Sequence, residues 1–456
     1  MLSPSCTSSI NLCDIDKRLA KRFDILLGKF IENPNDSIPK SLKTWKTIKS
    51  AYRFFHNSRI TDDILIRESV KDTVKKLAGE PSGFLMIAHD TTHIDYSGLQ
   101  VDGLGRNATS ENTKGFLVHS SLALTEAGVP IGLLSQNIWT REEPAAERDK
   151  KQLPMEAKES VKWLNSFKES LSSLPPNVRG ISVCDREADI YELLCAMSAE
   201  KHDFVIRSSY NRKLACGSLL ENRIDGKSVL AEYEHEVQRV HEVHPKRTAK
   251  MRLRVCEAEI MRPEGRGKLE CPETLRLNVV SAREETAGIN ESDRISWTLL
   301  TTLPVDSAER AMKVLDIYKH RWKIERFHYV LKSGCGIEKK QLKTVHSLKN
   351  TLAFLSIVAY KLLWLKYEAQ AYPGQCCEVV LSKTEWQALC CHSNKSSIPP
   401  VHPPSLSEAA VMIAKLGGFM ARKNDGFPGV KAIWGGIRIL HGIHETFLIF
   451  YKEKCG

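Results

Sequence analysis

The sequence predicts an α/β protein: a mixed-sheet core carrying a β-rich insertion, flanked by an α-helical N-terminal part and an α-helical C-terminal part. Three observations lead there. Apolar residues recur at helical period before residue 75 and again past 370, and strand-like apolar runs begin near residue 80. Between them, strands and helices follow one another in the order of a mixed α/β sheet. At 456 residues the chain is too long for one core. The expected divisions are 1–75, 76–370 with the insertion at 209–305, and 371–456.

In the N-terminal part, Leu19, Phe23, Ile25, Leu26 and Phe30 make one apolar helical face, and Trp45, Ile48, Tyr52 and Phe55 a second. Lys17, Arg18, Lys21, Arg22, Lys43, Lys46, Lys49 and Arg53 decorate it, as a solvated surface or as phosphate contacts. From residue 80 the runs GFLMIAHDTT, FLVHSSLALT and VPIGLLSQNIWT read as strands, with a turn at 127–129 joining the last two as a hairpin. A helix at 156–172, the strand VRGISVCD, the helix ADIYELLCAMSA and the strand DFVIRSS follow.

The insertion shows alternating MRLRV, LRLNVV and SWTLLTTL segments. Its basic stretch, with Lys246, Arg247, Lys250, Arg252, Arg254, Arg262, Arg266, Lys268 and Arg276, favours a face for a polyanion backbone. One long helix is expected at about 306–332, stopped by SGCG at 333–336. Two apolar-striped helices close the chain, one in LSEAAVMIAKLGGFMA and one bearing Ile433, Ile437, Leu440, His444, Phe447 and Tyr451.

Bulk properties exclude some classes and permit others. No run of 18 or more apolar residues is apparent, and the first residues lack the order of a signal peptide, so a cytoplasmic protein with no membrane partner is expected. Thirteen cysteines without a repeated CxxC argue for free thiols. Cys376–Cys377 and Cys390–Cys391 with His392 make a poor zinc set, since adjacent side chains diverge. A net charge of +11 permits a polyanionic partner without requiring one.

Two carboxylates stand where strands end. Asp90 follows the run Phe84 to Ala88, and Asp185 follows Ile181 to Cys184; such mouths lie side by side in a sheet with parallel strands. Asp95, five residues on, falls on the opposite face if the first strand continues. Glu187 and Asp189 suit the first turn of a helix beginning near 186, which Asp185 could cap. On the expected long helix, with Tyr318 as zero, Arg321, Glu325 and Lys332 fall at roughly −60°, −20° and −40°, a single stripe. Beside it runs the apolar face of Ile317, Ile324, Phe327 and Leu331. Alone, such a stripe reads most simply as a salt-bridged surface.

Taken together, Asp90 in HDTT, Asp185 in CDREAD and Tyr318-x2-Arg321-x3-Glu325-x6-Lys332 resemble the DDE transposases of the insertion-sequence-4 family, with its YREK signature. SAYRFFHN near the N terminus, Trp297 in SWTLLTTLPV and AKLGGFMARK near the C terminus extend the likeness over nearly the whole chain. The resemblance implies an RNase H-like core in which Asp90, Asp185 and Glu325 hold two Mg²⁺ ions, or Mn²⁺ in substitution. It gives Tyr318, Arg321 and Lys332 to DNA phosphates, Trp297 to a flipped base, and Arg212 to the hairpin region. It implies a homodimer on double-stranded DNA, terminal inverted repeats and target alike, in which excision passes through a hairpin and the 3′ ends are then joined to the target.

Two other readings remain open. A structure-selective nuclease on the same core would need neither Trp297 nor a repeat-binding domain, and strand joining separates the two. A catalytically silent DNA-binding regulator is disfavoured by the retained carboxylates, and a metal-dependent cleavage assay decides.

Overall fold

The computed structural model describes residues 16–77, 83–107, 113–141, 158–237, 247–264, 271–423 and 425–453. Its helical start comprises α1 (Lys17–Glu32), α2 (Ile38–Leu42), α3 (Trp45–Phe55) and α4 (Asp62–Leu77). The strands β1 (Phe84–Asp95), β2 (Gly115–Leu124) and β3 (Pro130–Trp139) follow, then α5 (Val161–Ser173), β4 (Arg179–Cys184), α6 (Tyr191–Ala199) and β5 (Asp203–Arg207). Next come α7 (Leu220–Asp225), β6 (Ala231–Val237), β7 (Arg247–Met261), β8 (Thr274–Glu284) and β9 (Ser296–Thr301). The chain ends in α8 (Ala308–Lys319), α9 (Trp322–Tyr329), α10 (Val345–Ala371), α11 (Lys383–Asn394), α12 (Leu406–Leu416) and α13 (Val430–Glu453).

The sheet runs β3-β2-β1-β4-β5-β9-β8-β7-β6. β1 pairs with β4 and β4 with β5 in parallel, while β2–β3 and every pair from β5 to β6 are antiparallel. The order 3-2-1-4-5 of the first five strands is that of an RNase H-like core, as the resemblance implied. β6 to β9 continue the same sheet beyond β5.

Two compact units emerge, one formed by Phe84–Asp90 with Pro144–Trp322, the other by Met1–Gly83, Thr91–Glu143 and Lys323–Gly456. In the first, α5 and α6 bury Trp163, Phe167, Leu193 and Met197 in one cluster with Phe204, Ile206, Val279 and Leu300 of the sheet. In the second, α10 is the axis. It packs on α1, α3, α4, β3, α12 and α13.

Several expectations change here. In α1, Leu27 and Ile31 are buried while Ile25 is 52% exposed. In α3 the inner face is Ala51, Phe54 and Phe55, and Trp45 and Tyr52 face solvent. Phe354 of α10 explains the turn: its ring lies 5.3 to 6.4 Å from those of Phe23, Phe30, Phe54 and Phe55, and this aromatic nest claims Phe54 ahead of Tyr52. α10 is long and apolar enough by composition to cross a membrane, although Asn350, Thr351, Ser356 and Lys361 break up its apolar residues; its most apolar window is 89% buried within the protein. Asn350 interrupts the apolar run. Its side-chain amide donates to the carbonyls of Phe55 and Ile60 at 3.0 and 2.7 Å, which makes it affordable inside.

The long helix expected at 306–332 is broken. α8 stops at Lys319, Arg321 N–H donates to the Tyr318 carbonyl at 3.0 Å, α9 begins at Trp322, and a π-helical turn covers Val330–Gly334. The single stripe drawn for 318–332 therefore does not exist as one helical surface.

At the C-terminal end, α12 and α13 touch backbone to backbone. A Cβ at Gly436 would fall 1.7 Å from the Ile413 carbonyl oxygen, and one at Gly417 would fall 1.9 Å from that of Ala432. Gly436→Ala should therefore lower stability by about 1–3 kcal/mol in denaturant melts. Gly442→Ala, with nothing within 4 Å, should be neutral or mildly stabilising, and equal losses at both positions would contradict the close-approach argument.

Candidate active site

β1 and β4 run parallel with Phe84 opposite Arg179 and Ala88 opposite Val183. Carried forward one alternation, that register sets Asp90 opposite Asp185 on the same sheet face, on strands about 4.8 Å apart. Asp185 keeps an extended backbone, φ −84° and ψ −166°, so the extension holds although β4 ends at Cys184. β1 runs on to Asp95, which places Asp95 on the other face.

The electrostatics agree with the pairing. Burial raises the Asp185 carboxyl above the usual range; the Glu187 N–H, donated to Oδ1 at 2.9 Å, opposes it, Asp90 raises it further and Arg321 lowers it. The fully buried Cys184 thiol is pushed well up by burial and then senses Asp185, Arg321 and Asp90. Three charged groups thus gather around one strand end.

Tyr318 and Arg321 belong to the same group. The Arg321 guanidinium lies 5.9 Å from the centroid of the buried Tyr318 ring. Burial pushes the Tyr318 hydroxyl up, against the pull of Arg321 and Arg207. Trp297 stands 6.0 Å from Tyr318, edge-on, and 5.5 Å from His235. It is half-buried, so it is not a core tryptophan. On the opposite face of β1, His89 joins Ser182 at 3.1 Å and Ser182 joins His202 at 3.0 Å; burial holds these imidazoles down at about 3 and 4, neutral and structural.

The other expected residues are placed differently. Glu325, in the first turn of α9, and Lys332, in the π turn, belong to the second compact unit. Lys332 Nζ lies 3.5 Å from the Glu338 carboxylate, which accepts the Asp95 N–H at 3.1 Å. Arg212 is buried with its guanidinium on Asp189, Nε at 3.1 Å from Oδ1 and Nη2 at 3.0 Å from the carbonyl. A contact between Arg212 and hairpin DNA would require that pair to open. Asp189 is no first-turn helix charge, as the sequence suggested. A 3₁₀ turn at Arg186–Ala188 separates Asp185 from α6, and Asp189, at its end, accepts from Ser208, Ser209 and Arg212. Glu187 instead pairs with Lys162 at 2.7 Å.

Arg207 was missed. It ends β5 as Asp185 ends the run of β4, and the strand-mouth rule applied to Asp90 and Asp185 would have found it.

Family models match the chain in three consecutive stretches: a transposase DNA-binding model at 8–60, a transposase DDE domain at 158–361 and a transposase Tn5 dimerisation domain at 357–447. The chain belongs to the DDE transposases. Asp185 and Glu325 lie inside the DDE match, and Asp90 precedes it. As a transposase it binds DNA, dimerises and depends on a divalent metal ion for phosphoryl transfer. One solved structure is also similar, a piggyBac transposase synaptic complex with hairpin DNA, at 9% identity and a TM-score of 0.35, covering 98% of this chain and 81% of that one. That likeness is too slight to bear on fold or mechanism.

The donor set suits a hard cation. Asp90 and Asp185 offer only oxygen, and the Asp185 carboxyl is raised first by burial and further by Asp90, a cost that a divalent ion would relieve. Among the described residues no three His, Cys, Asp or Glu side chains form a group that could hold a metal, and Asp90 and Asp185 share one compact unit while Glu325 belongs to the other.

A carboxyl raised in the fold contributes stability that is fully present below its unfolded pKa and is lost as pH rises through the folded value. Asp185→Asn has no such loss. In the metal-free transposase at pH 7 it should melt above wild type, converging with it below about pH 4. Added Mg²⁺ should raise the wild-type melting temperature more than the variant's. A variant that melts lower at pH 7, or gains as much from Mg²⁺, would remove the case for a repelling pair.

Proposed function

We propose that this transposase binds the terminal inverted repeats of its element, cuts both strands at each end through a hairpin, and joins the freed 3′ ends to target DNA. The in-register pair Asp90 and Asp185 carries the reading: two carboxylates at one strand mouth with guanidinium and phenol groups beside them. Glu325 would complete their set. Two Mg²⁺ ions, or Mn²⁺, would supply Lewis acidity to the attacking and leaving oxygens.

The chain's own residues would do the rest. Tyr318 and Arg321 hold a phosphate near the cut, Arg321 through its planar fork and Lys332 as a point charge. Trp297, edge-on to Tyr318 and half-exposed, offers a face on which a base turned out of the duplex can stack. Arg212 is assigned to the hairpin region, on the condition stated for its pair with Asp189. By function, residues 1–75 would read the repeats, 76–370 do the chemistry around the insertion at 209–305, and 371–456 dimerise in the synaptic complex. The setting would be the bacterial cytoplasm, on the nucleoid.

Purified protein incubated with DNA from the flanks of its own gene and Mg²⁺ should give a double-strand break and a hairpin at a repeat boundary. Binding without any cut would favour a silent regulator, and cutting without joining a nuclease. Glu325→Gln should bind ends within about twofold of wild type while cutting falls by three orders of magnitude or so, the scale of a lost catalytic group. Equal loss of binding and cutting would remove Glu325 from the metal set. Trp297→Ala should slow hairpin formation by roughly tenfold more than the first nick, as one stacking interaction allows. Parallel slowing of both steps would end the base-stacking assignment.

A further inference from the structure

Cysteines recur in the core cluster of the first compact unit, with Cys184, Cys195 and Cys256 inside it and Cys271 packed against its edge. Two of them meet. Cys195 lies one turn after Tyr191 on α6, and its thiol makes hydrogen-bond contact with both the Tyr191 hydroxyl and the Cys271 thiol. Cys271 stands just before β8 and is held there from two sides. Its carbonyl accepts from Arg262 Nη1 at 3.1 Å, and the carbonyl of the next residue, Pro272, accepts the Tyr191 hydroxyl at 3.0 Å. Cys184 and Cys256 differ, because the neighbours that bear on them are charged: Asp185, Arg321 and Asp90 for the first, Arg223 and Lys227 for the second.

Accessibility divides the pair. Cys271 is half-buried, whereas Cys195 is only 7% exposed and burial pushes its thiol up to about 12. An oxidant therefore meets Cys271 first, and Cys195 stands beside it as the resolving thiol. Contact offsets the weak acidity of Cys195, since the two sulfurs need no diffusion to find each other.

We infer that Cys195 and Cys271 are a thiol modification site, closing to a disulfide when the protein meets hydrogen peroxide and stapling α6 to the start of β8. Peroxide converts the Cys271 thiol to a sulfenic acid with loss of one water; the Cys195 sulfur then attacks that of Cys271, and the hydroxyl departs with the Cys195 proton as a second water. In sum two S–H bonds and one O–O bond break and one S–S bond forms, so the sulfurs are oxidised and the peroxide is reduced. The loop so closed contains β5, α7, β6 and β7, and closing it lowers the chain entropy of the unfolded state. The inference stands apart from the DNA reactions proposed above, and neither falls with the other.

The test uses the full chain, reduced, desalted and treated with hydrogen peroxide. One sample is alkylated in denaturant, digested and mapped by mass spectrometry, and a second is melted. The peptides bearing Cys195 and Cys271 should appear joined, and the melting temperature should rise by about 5 °C, the scale of one long-loop disulfide in a chain of this size. Dithiothreitol should undo both changes. Cys271→Ser should show neither the joined peptides nor the rise. Thiols at 195 and 271 that remain alkylatable, a Cys271 carried on to sulfinic acid, or a linkage from either to a different cysteine would overturn the inference. A rise that persists in Cys271→Ser would do so as well. The map is made on wild type, so it decides even where the variant fails to fold.

Discussion

Everything at the candidate site depends on one register. β1 and β4 lie parallel with Ala88 opposite Val183, and a shift of one residue would turn either Asp90 or Asp185 to the other face of the sheet. The register is held by burial on both faces. Leu85, Met86, Ile87 and Ala88 of β1 and Ile181 and Val183 of β4 are all buried, so any slip would expose apolar side chains or bury charged ones. The next strand repeats the device, since β5 brings Arg207 to the same level. The chemistry sits where this packing stops: the apolar runs of β4 and β5 pass directly into Asp185 and Arg207, and that of β1 reaches Asp90 after the buried, neutral His89.

That is also why part of the site could be read from the sequence. A run such as Ile181 to Cys184 emptying into Asp185 needs no knowledge of neighbours to be seen, and the hairpin of β2 and β3 announced itself through two apolar runs and the turn at Gly128, whose φ is 76°. What could not be read was anything that depends on a distant partner. Tyr52 and Phe54 are both aromatic and nearly adjacent, and only Phe354 of α10, three hundred residues on, decides which goes inside. The break between α8 and α9 was equally hidden. His320 and Arg321 carry no helix-breaking signal, and the hydrogen bonds that close α8 tighten back onto Ile317 and Tyr318. Helical angles computed through that break described a surface that the chain does not make.

The break matters to how the signature is to be understood. Tyr318 and Arg321 fall with the carboxylate pair in one compact unit, while Glu325 and Lys332 fall in the other. Spacing in the sequence is therefore not an expression of one helix face. The first pair is held by ring-to-guanidinium contact across the end of α8, and Lys332 is oriented by Glu338. Tyr318 with Arg321, and Lys332 apart from them, are thus placed by separate local contacts.

Net charge was a weaker guide than the arrangement of charge. The basic stretch of the insertion looked like a polyanion face, yet Arg247 is held by Glu284, and Arg252 by Glu232 and Glu285, across the β6–β7–β8 ladders; Lys246, Arg266 and Lys268 lie outside the described residues. The exposed pairs of Arg252 are worth little individually, whereas Arg247 closes on the fully buried Glu284 carboxylate; both kinds offset the field that a phosphate would feel. Arg207 differs in that burial and the Tyr318 hydroxyl bear on it first, and after them the like charges of Arg186 and Arg321. A fold tolerates such repulsion at a half-buried strand end where something else supplies the opposing charge. In a DNA transposase the abundant source of that charge is the backbone being cut. What a cation faces in the fold thus separates these residues from the larger number spread along the sheet edge, where carboxylates answer the charge.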